Sequence, residues 1–108
     1  MKKLVLVSFL ILLVVSFSTV SCKKTSTSAT AYTPTCSSVK SYSIDARPAI
    51  QSSCVGCHSS YGTYSQVCSS ASSIRSSIVN GTMPKGSTLT SAQKDNIICW
   101  IDGGAANN

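Results

Sequence analysis

Apolar residues recur at helical spacing in several short stretches of the chain, and no segment alternates between apolar and polar residues as a strand does. The clearest stretch covers residues 91–102 and is followed by Gly103-Gly104, a pair that favours the end of a helix. Its apolar positions are Ile97, Ile98 and Ile101. Thr90 and Gln93 have the spacing of a capping box at its start. We therefore predict an all-α domain whose last helix runs from Ser91 to Asp102.

Shorter apolar stretches before this helix bring the predicted number of short helices to three or four. Ser43 precedes the first of them, whose apolar positions are Ile44, Ala46, Ala49 and Ile50. Pro48 makes this helix start late or bend, because proline has no N–H to donate. Two middle helices are predicted over 64–67 and 71–79, and Asn80-Gly81 stops the second.

The N-terminus has a different apolar pattern, an almost unbroken run from Leu4 to Phe17 that follows Lys2 and Lys3. A short basic region, an apolar run and small residues after it are typical of a secretory signal. The run is shorter than the ~20 residues of a membrane-spanning helix. We therefore predict that residues 1–21 are a signal peptide and that the protein is exported. An uncleaved anchor is the alternative.

Residues 17–22, Phe-Ser-Thr-Val-Ser-Cys, resemble the lipobox of a bacterial lipoprotein, in which small residues lead to the cysteine that takes the lipid. Thr19 departs from that motif, since most lipoboxes carry leucine or another aliphatic residue there. The resemblance implies that Cys22 is lipidated and anchors the chain to a membrane. Lys23 at the next position favours the outer membrane, with the domain facing the periplasm. The alternative is an ordinary secreted protein with a spare cysteine.

The composition after this point separates a tether from a domain. Residues 22–40 are rich in Ser and Thr and have little to bury, so they predict a flexible tether. Residues 41–108 are left for one small domain, and a domain of this size buries little surface on folding. We therefore expect an additional stabilising group.

Six cysteines in an exported chain first indicate disulfides, but their positions divide them into groups. Residues 54–58 read Cys-Val-Gly-Cys-His, the pattern in which two thiols bond a haem covalently and the histidine binds its iron. Cys54 and Cys57 have three other readings: a thioredoxin-like redox pair, half of a zinc site, or two disulfide halves. The first needs a βαβ pattern and the second needs further paired ligands, but His58 is the only histidine. We favour covalent haem.

Met83 is the only methionine after the predicted signal, and it lies in a loop rich in turn residues. Glycine and proline in residues 79–86 allow its thioether to approach a flat cofactor with no helix in between. A lone methionine is otherwise a filler of gaps in a core, but this loop offers few apolar neighbours. We therefore predict that Met83 is the second iron ligand.

These motifs together resemble a class I cytochrome c domain, and in particular the small monohaem lipoproteins of the Bacteroidetes group. The resemblance covers about residues 41–108 and rests on three features in order: the motif at 54–58, the segment Gly81-Thr82-Met83-Pro84, and the final part from Leu89 to Ala105. It implies three to four short helices around one covalently attached haem.

The resemblance also assigns roles to individual residues. Cys54 and Cys57 would carry the thioether bonds to one haem c, His58 would be the proximal ligand of the iron, and Met83 the distal ligand. The first and last helices would cross and share a core. That core would contain Ile44, Ile50, Ile97, Trp100 and Ile101.

Three cysteines remain, Cys36, Cys68 and Cys99, and an odd number leaves at least one free thiol. We lean toward a disulfide between Cys68 and Cys99, because both lie on predicted helices. Related lipoproteins often place a cysteine ahead of the first helix, as Cys36 is here, so the pair Cys36–Cys99 is nearly as well supported. The sequence leaves both pairings open.

Charge adds little to this picture. The predicted mature chain has seven Lys or Arg against three Asp, a net charge of +4, which either attracts an acidic redox partner or only keeps the surface solvated. No stripe of basic and aromatic residues indicates nucleic acid. Asp45, Asp95 and Asp102 are too scattered for a catalytic set, so we expect redox partner proteins and no enzymatic activity.

An iron bound by both His58 and Met83 has no open position for a substrate, which favours one-electron transfer. Two alternatives stay open. If Met83 does not bind, the protein is a haem-based sensor or small-ligand binder, with Tyr61 or Tyr64 in the pocket. Otherwise it is the haem subunit of a larger membrane-associated oxidoreductase complex.

Overall fold

The computed structural model describes residues 30–108, which contain helices and no strand. The helices, in chain order, are a π-helical turn Tyr42–Ala46, α1 Arg47–Ser53, a 3₁₀ turn Ser59–Gly62, α2 Tyr64–Ser69, α3 Ala71–Val79 and α4 Ser91–Asp102. The all-α prediction is therefore confirmed for this part of the chain.

Local signals in the sequence determine the later helices. The last helix has the predicted bounds, and both halves of its capping box form: the Thr90 hydroxyl accepts from the Gln93 N–H at 3.2 Å, and the Gln93 side chain accepts from the Thr90 N–H at 2.9 Å. Helix α3 also has its predicted bounds, and α2 continues two residues beyond the predicted Val67.

The first helix begins differently from the prediction. Its cap is Ser41 rather than Ser43, and the Ser41 hydroxyl accepts from the Ile44 N–H at 3.2 Å. The Ala46 N–H donates to the Ser41 carbonyl at 3.1 Å, five residues back, which is the spacing of a π-helix. Regular α-helix starts only at Arg47, where Pro48 occupies the first turn and needs no N–H. The late start predicted from Pro48 is therefore a change from π-helix to α-helix at Arg47.

Helix α4 is the centre of the core, because it packs against the π-helical turn, α1 and α3. Its Trp100 contacts the ring of Tyr42 at 5.2 Å between centroids, and Tyr42 contacts Tyr64 at 5.1 Å in an edge-to-face arrangement. The largest fully buried side chains are Trp100, Ile50, Ile97, Ile98 and Val67. The expected packing of the first helix against the last is therefore present.

The prediction that Ile44 belongs to the core is wrong. Ile44 is 79% exposed, and Tyr42 lies against Trp100 in the core instead. The reason is the start of the helix at Tyr42 as a π-helical turn, which places Tyr42 and Ala46 on the buried face. Ile101 is only half-buried, at the edge of the core.

The disulfide joins Cys36 to Cys99, with 5.4 Å between their Cα atoms. The pairing of Cys68 with Cys99 toward which the sequence leaned is therefore wrong, and Cys68 on α2 is a free, half-buried thiol. The position of Cys68 and Cys99 on predicted helices did not indicate the correct pairing, because Cys99 lies against the segment that precedes the first helix and not against α2. That segment runs along α4 in the same direction as the helix, from Tyr32 near Ser91 to Cys36 at Cys99.

Part of the predicted tether 22–40 is consequently attached to the domain. Tyr32 and Cys36 both contact α4, so the packed chain begins before the predicted boundary at residue 41. The predicted signal 1–21 and the predicted lipidation site Cys22 lie outside the described residues. Within residues 30–108, none of the helices combines the length and apolar character needed to cross a membrane.

Candidate cofactor-binding site

A cavity of about 340 Å³ lies between the end of α1, one face of α3 and the loop that joins α3 to α4. Its size falls within the range of small-molecule sites in proteins, about 300–1,000 Å³. All four predicted cofactor-binding residues, Cys54, Cys57, His58 and Met83, line it, although 25 residues of chain separate His58 from Met83. The fold therefore brings together side chains that the sequence identified in two separate motifs.

The first three of these residues lie on one tight turn after α1. The Cys54 carbonyl accepts from the Cys57 N–H at 3.1 Å and from the His58 N–H at 2.8 Å. This turn directs both thiols and the imidazole to one cavity. Cys54 and Cys57 are free thiols, so a disulfide between them does not form in this structure.

The two thiols have different surroundings. Cys54 is half-buried against the core, and desolvation by burial raises the pKa of its thiol, whereas Cys57 is exposed. Thiolate is the form that attacks disulfides, so burial makes Cys54 the less reactive of the pair in thiol exchange.

His58 is exposed and stacks on Tyr61, with ring centroids 5.0 Å apart and planes at 22°. The 3₁₀ turn positions Tyr61, whose N–H donates to the His58 carbonyl at 2.9 Å. Tyr61 also lines the cavity, on the side of His58. Tyr64, the other tyrosine considered for the pocket, does not line it; its hydroxyl donates to the Ala105 carbonyl in the core at 2.9 Å.

Met83 reaches the cavity from the loop of residues 80–90, which we call the Met83 loop. The N–H groups of Thr82 and Met83 both donate to the Ser77 carbonyl of α3, at 3.0 and 3.2 Å. Gly81 has a φ of 70°, a left-handed conformation that glycine adopts without steric cost, and this turns the chain back from α3. Met83 is half-buried, as its position on a cavity wall requires.

The sequence did not identify the apolar walls of the cavity. Ile74 and Ile78 are buried on the inner face of α3, and Leu89 is buried at the end of the Met83 loop. The spacing of the two isoleucines, four residues apart on a predicted helix, was a usable signal for a shared face. Lys85 also lines the cavity and is exposed.

The donor set restricts which metal chemistry is possible here. No group of three or more His, Cys, Asp or Glu side chains within residues 30–108 is arranged to hold a metal ion. A structural zinc ion takes four such ligands, so half of a zinc site at Cys54 and Cys57 has no second half in this part of the chain. His58 and Met83 are one nitrogen and one sulfur donor, which suits an iron whose other ligands come from a macrocycle.

Comparison with known proteins gives no independent assignment. No family model, curated protein or solved structure matches the chain. The functional conclusion therefore depends on the residues of this cavity and on their arrangement.

Proposed function

We propose that this chain is a single-haem c-type cytochrome that transfers one electron between redox partner proteins and is not itself an enzyme. In this proposal Cys54 and Cys57 hold the haem covalently, and His58 and Met83 ligate its iron. The observation that carries the proposal is the convergence of these four side chains on one apolar cavity from two motifs distant in the chain.

The residues of the cavity fit a haem. Two free thiols lie one turn apart beside an imidazole, and the thioether of Met83 comes from a separate element. The walls contributed by Ile74, Ile78 and Leu89 are apolar, as the face of a porphyrin requires. These three side chains form the buried part of the cavity lining. Cys57 and His58 are exposed and form its solvent-accessible part.

Each of the four residues that we propose hold the haem has a defined role. The thiols of Cys54 and Cys57 attach the cofactor, so it is not lost from a domain with a small core. The bound haem supplies an iron that accepts and releases one electron, at a potential that a methionine ligand raises. His58 and Met83 would together hold the iron, which would leave no position on it for a substrate. Exposure of Cys57 and His58 brings the site within reach of a partner protein.

The location proposed for this activity follows from the N-terminal sequence. Export by the signal 1–21 and lipidation of Cys22 would attach the domain to the outer membrane, facing the periplasm, a compartment in which disulfides such as Cys36–Cys99 persist. A mass measurement of the mature protein tests lipidation, because Cys22→Ser would abolish a mass increase of diacyl size.

A measurement of covalent haem attachment tests the roles proposed for Cys54 and Cys57. The double variant Cys54→Ala with Cys57→Ala removes both thioether bonds, and we expect it to lose the haem that survives denaturing electrophoresis with peroxidase staining. Cys68→Ala is the matched control, since Cys68 is a third free thiol that does not line the cavity. It should retain haem at the wild-type level.

Equal haem staining of the double variant and of Cys68→Ala would contradict the proposed attachment. Absence of haem from the wild-type protein, produced in a host that attaches c-type haem, would contradict the function itself.

A further inference from the structure

The segment before the first helix contacts both ends of the Met83 loop. Tyr32 donates its backbone N–H to the Val79 carbonyl at 2.9 Å, and Val79 is the last residue before the loop. The Tyr32 hydroxyl lies 3.1 Å from the carbonyl of Ser91, the first residue after the loop. Tyr32 therefore contacts both residues that flank the Met83 loop, Val79 and Ser91.

Several further contacts hold Tyr32 in this position. The single proton of its hydroxyl is shared between the Ser91 carbonyl and Asp95 Oδ1, which lies 2.9 Å from the hydroxyl oxygen, and the same carboxylate oxygen accepts from the Thr35 N–H at 3.0 Å. The ammonium of Lys94 lies 4.7 Å from the centre of the Tyr32 ring, within the range of a cation–π contact. Four residues further on, the disulfide of Cys36 with Cys99 attaches the segment covalently to α4.

The Met83 loop has few other constraints on its position. Its backbone hydrogen bonds to other elements lie at its two ends: the Thr82 and Met83 N–H groups share the Ser77 carbonyl of α3, and the Thr90 carbonyl accepts from the Lys94 N–H of α4 at 3.0 Å. Most residues between Asn80 and Thr90 are exposed, and Leu89 is the buried exception near the end. A loop of this kind depends on its two ends for a fixed position.

We propose that residues 30–36 form a clamp that holds the Met83 loop in its ligating position, with Tyr32 as the positioning residue and the Cys36–Cys99 disulfide as its attachment. This inference rests on the proposed function, because it concerns the residue that we assign as the distal ligand. It gives the segment predicted to be a tether a second role: the chain that leads from the membrane anchor also determines how firmly Met83 binds.

The phenol must be protonated to donate in this clamp. Desolvation by burial raises the pKa of Tyr32, and the hydrogen bond to Asp95 raises the pKa further. Tyr32 is therefore a neutral hydrogen-bond donor at any pH near neutrality. Replacing its hydroxyl is a direct way to weaken the clamp without changing a charge.

The variant Tyr32→Phe removes the hydroxyl and keeps both the ring beneath Lys94 and the backbone N–H that donates to Val79. Tyr64→Phe is the matched control, because it removes one tyrosine hydroxyl with a single backbone acceptor, Ala105, away from the loop. The measurement is the apparent affinity of the ferric holoprotein for imidazole, which competes with Met83 for the iron. We expect Tyr32→Phe to raise this affinity by about two- to tenfold, the effect of one hydrogen bond.

Amide hydrogen exchange gives a second readout that does not depend on the iron. The amides of Thr82 and Met83 should exchange faster in Tyr32→Phe than in Tyr64→Phe, because the loop opens more often when its ends are less firmly held. Equal imidazole affinities and equal exchange rates in the two variants would overturn the clamp.

Failure of the proposed function would look different. A wild-type protein without haem would contradict the cytochrome assignment and remove the imidazole experiment, while the exchange of the two loop amides would still decide whether Tyr32 holds the loop.

Discussion

Under the proposed function, Met83 is the residue that would distinguish an electron carrier from a haem protein that binds small ligands. It lies half-buried on the wall of the cavity that both thiols and His58 also line. If Met83 holds the iron together with His58, its thioether would favour the reduced state and would leave no position for a small ligand. Tyr61 also lines the cavity, where it stacks on His58.

Replacing Met83 with alanine removes the thioether and keeps the backbone N–H that bonds to Ser77. We expect the sulfur-to-iron absorption band of the oxidised protein to disappear and the reduced protein to bind carbon monoxide. The reduction potential should fall by roughly 0.1 V or more, since axial ligands set haem potentials over about 0.8 V. Ser87→Ala, at an exposed position of the same loop, is the control. An unchanged band and potential in Met83→Ala would exclude Met83 as a ligand.

At the scale of elements, the sequence predicted those helices whose ends carry local signals. The capping box at Thr90 and the Asn80-Gly81 stop gave the bounds of α4 and α3, because such interactions form within a few residues of chain. The start of the first helix is different. Its π-helical turn depends on the packing of Tyr42 against Trp100, a contact between residues far apart in sequence that no local pattern displays.

Helices α3 and α4 are also joined by an ion pair at the surface. Arg75 binds Asp102 through two hydrogen bonds, and the hydrogen bond from Arg75 lowers the pKa of that carboxyl, which partial desolvation offsets in part. A carboxyl with a lowered pKa stabilises the fold above its unfolded pKa, about 3.9, and loses that contribution as the pH falls through the folded value.

We therefore expect Arg75→Gln to lower the free energy of unfolding at pH 7 by no more than about 1 kcal/mol, because the pair is exposed. The difference from the wild-type protein should shrink as the pH falls below about 4. Urea unfolding at a series of pH values measures this. Arg47→Gln, at an exposed arginine without an ion pair in the described residues, should show no such pH-dependent difference. A difference that persists at low pH would mean that Arg75 acts through packing instead.

At the scale of the whole molecule, the attached N-terminal segment was the main feature that the sequence did not predict. Its composition is that of a tether, and only Tyr32 stands out as an aromatic residue in a polar stretch. The sequence did name Cys36–Cys99 as one of two pairings, but no pattern in it says that the segment lies along α4. The residues that we propose hold the cofactor could be selected from the sequence because the spacing within residues 54–58 is local, whereas the cavity walls arise only when α3 and the Met83 loop fold together.

The disulfide closes a long loop, because 63 residues separate Cys36 from Cys99. Removing it by Cys36→Ala combined with Cys99→Ala should lower the free energy of unfolding by about 2–5 kcal/mol, as for native disulfides of small exported domains. Urea unfolding of the two proteins tests this, and the wild-type protein under reducing conditions should resemble the double variant. Cys68→Ala is the control for loss of a free thiol. Equal unfolding midpoints for the double variant and the wild type would contradict a stabilising role for the disulfide.

The most direct test of the central claim is the absorption spectrum of the wild-type protein, produced in a host that attaches c-type haem, in both oxidation states and as a pyridine haemochrome. We predict a c-type haemochrome and a weak long-wavelength sulfur-to-iron band in the oxidised protein, which together report covalent haem with Met83 bound. Absence of haem would contradict the account and return Cys54 and Cys57 to thiol or disulfide chemistry.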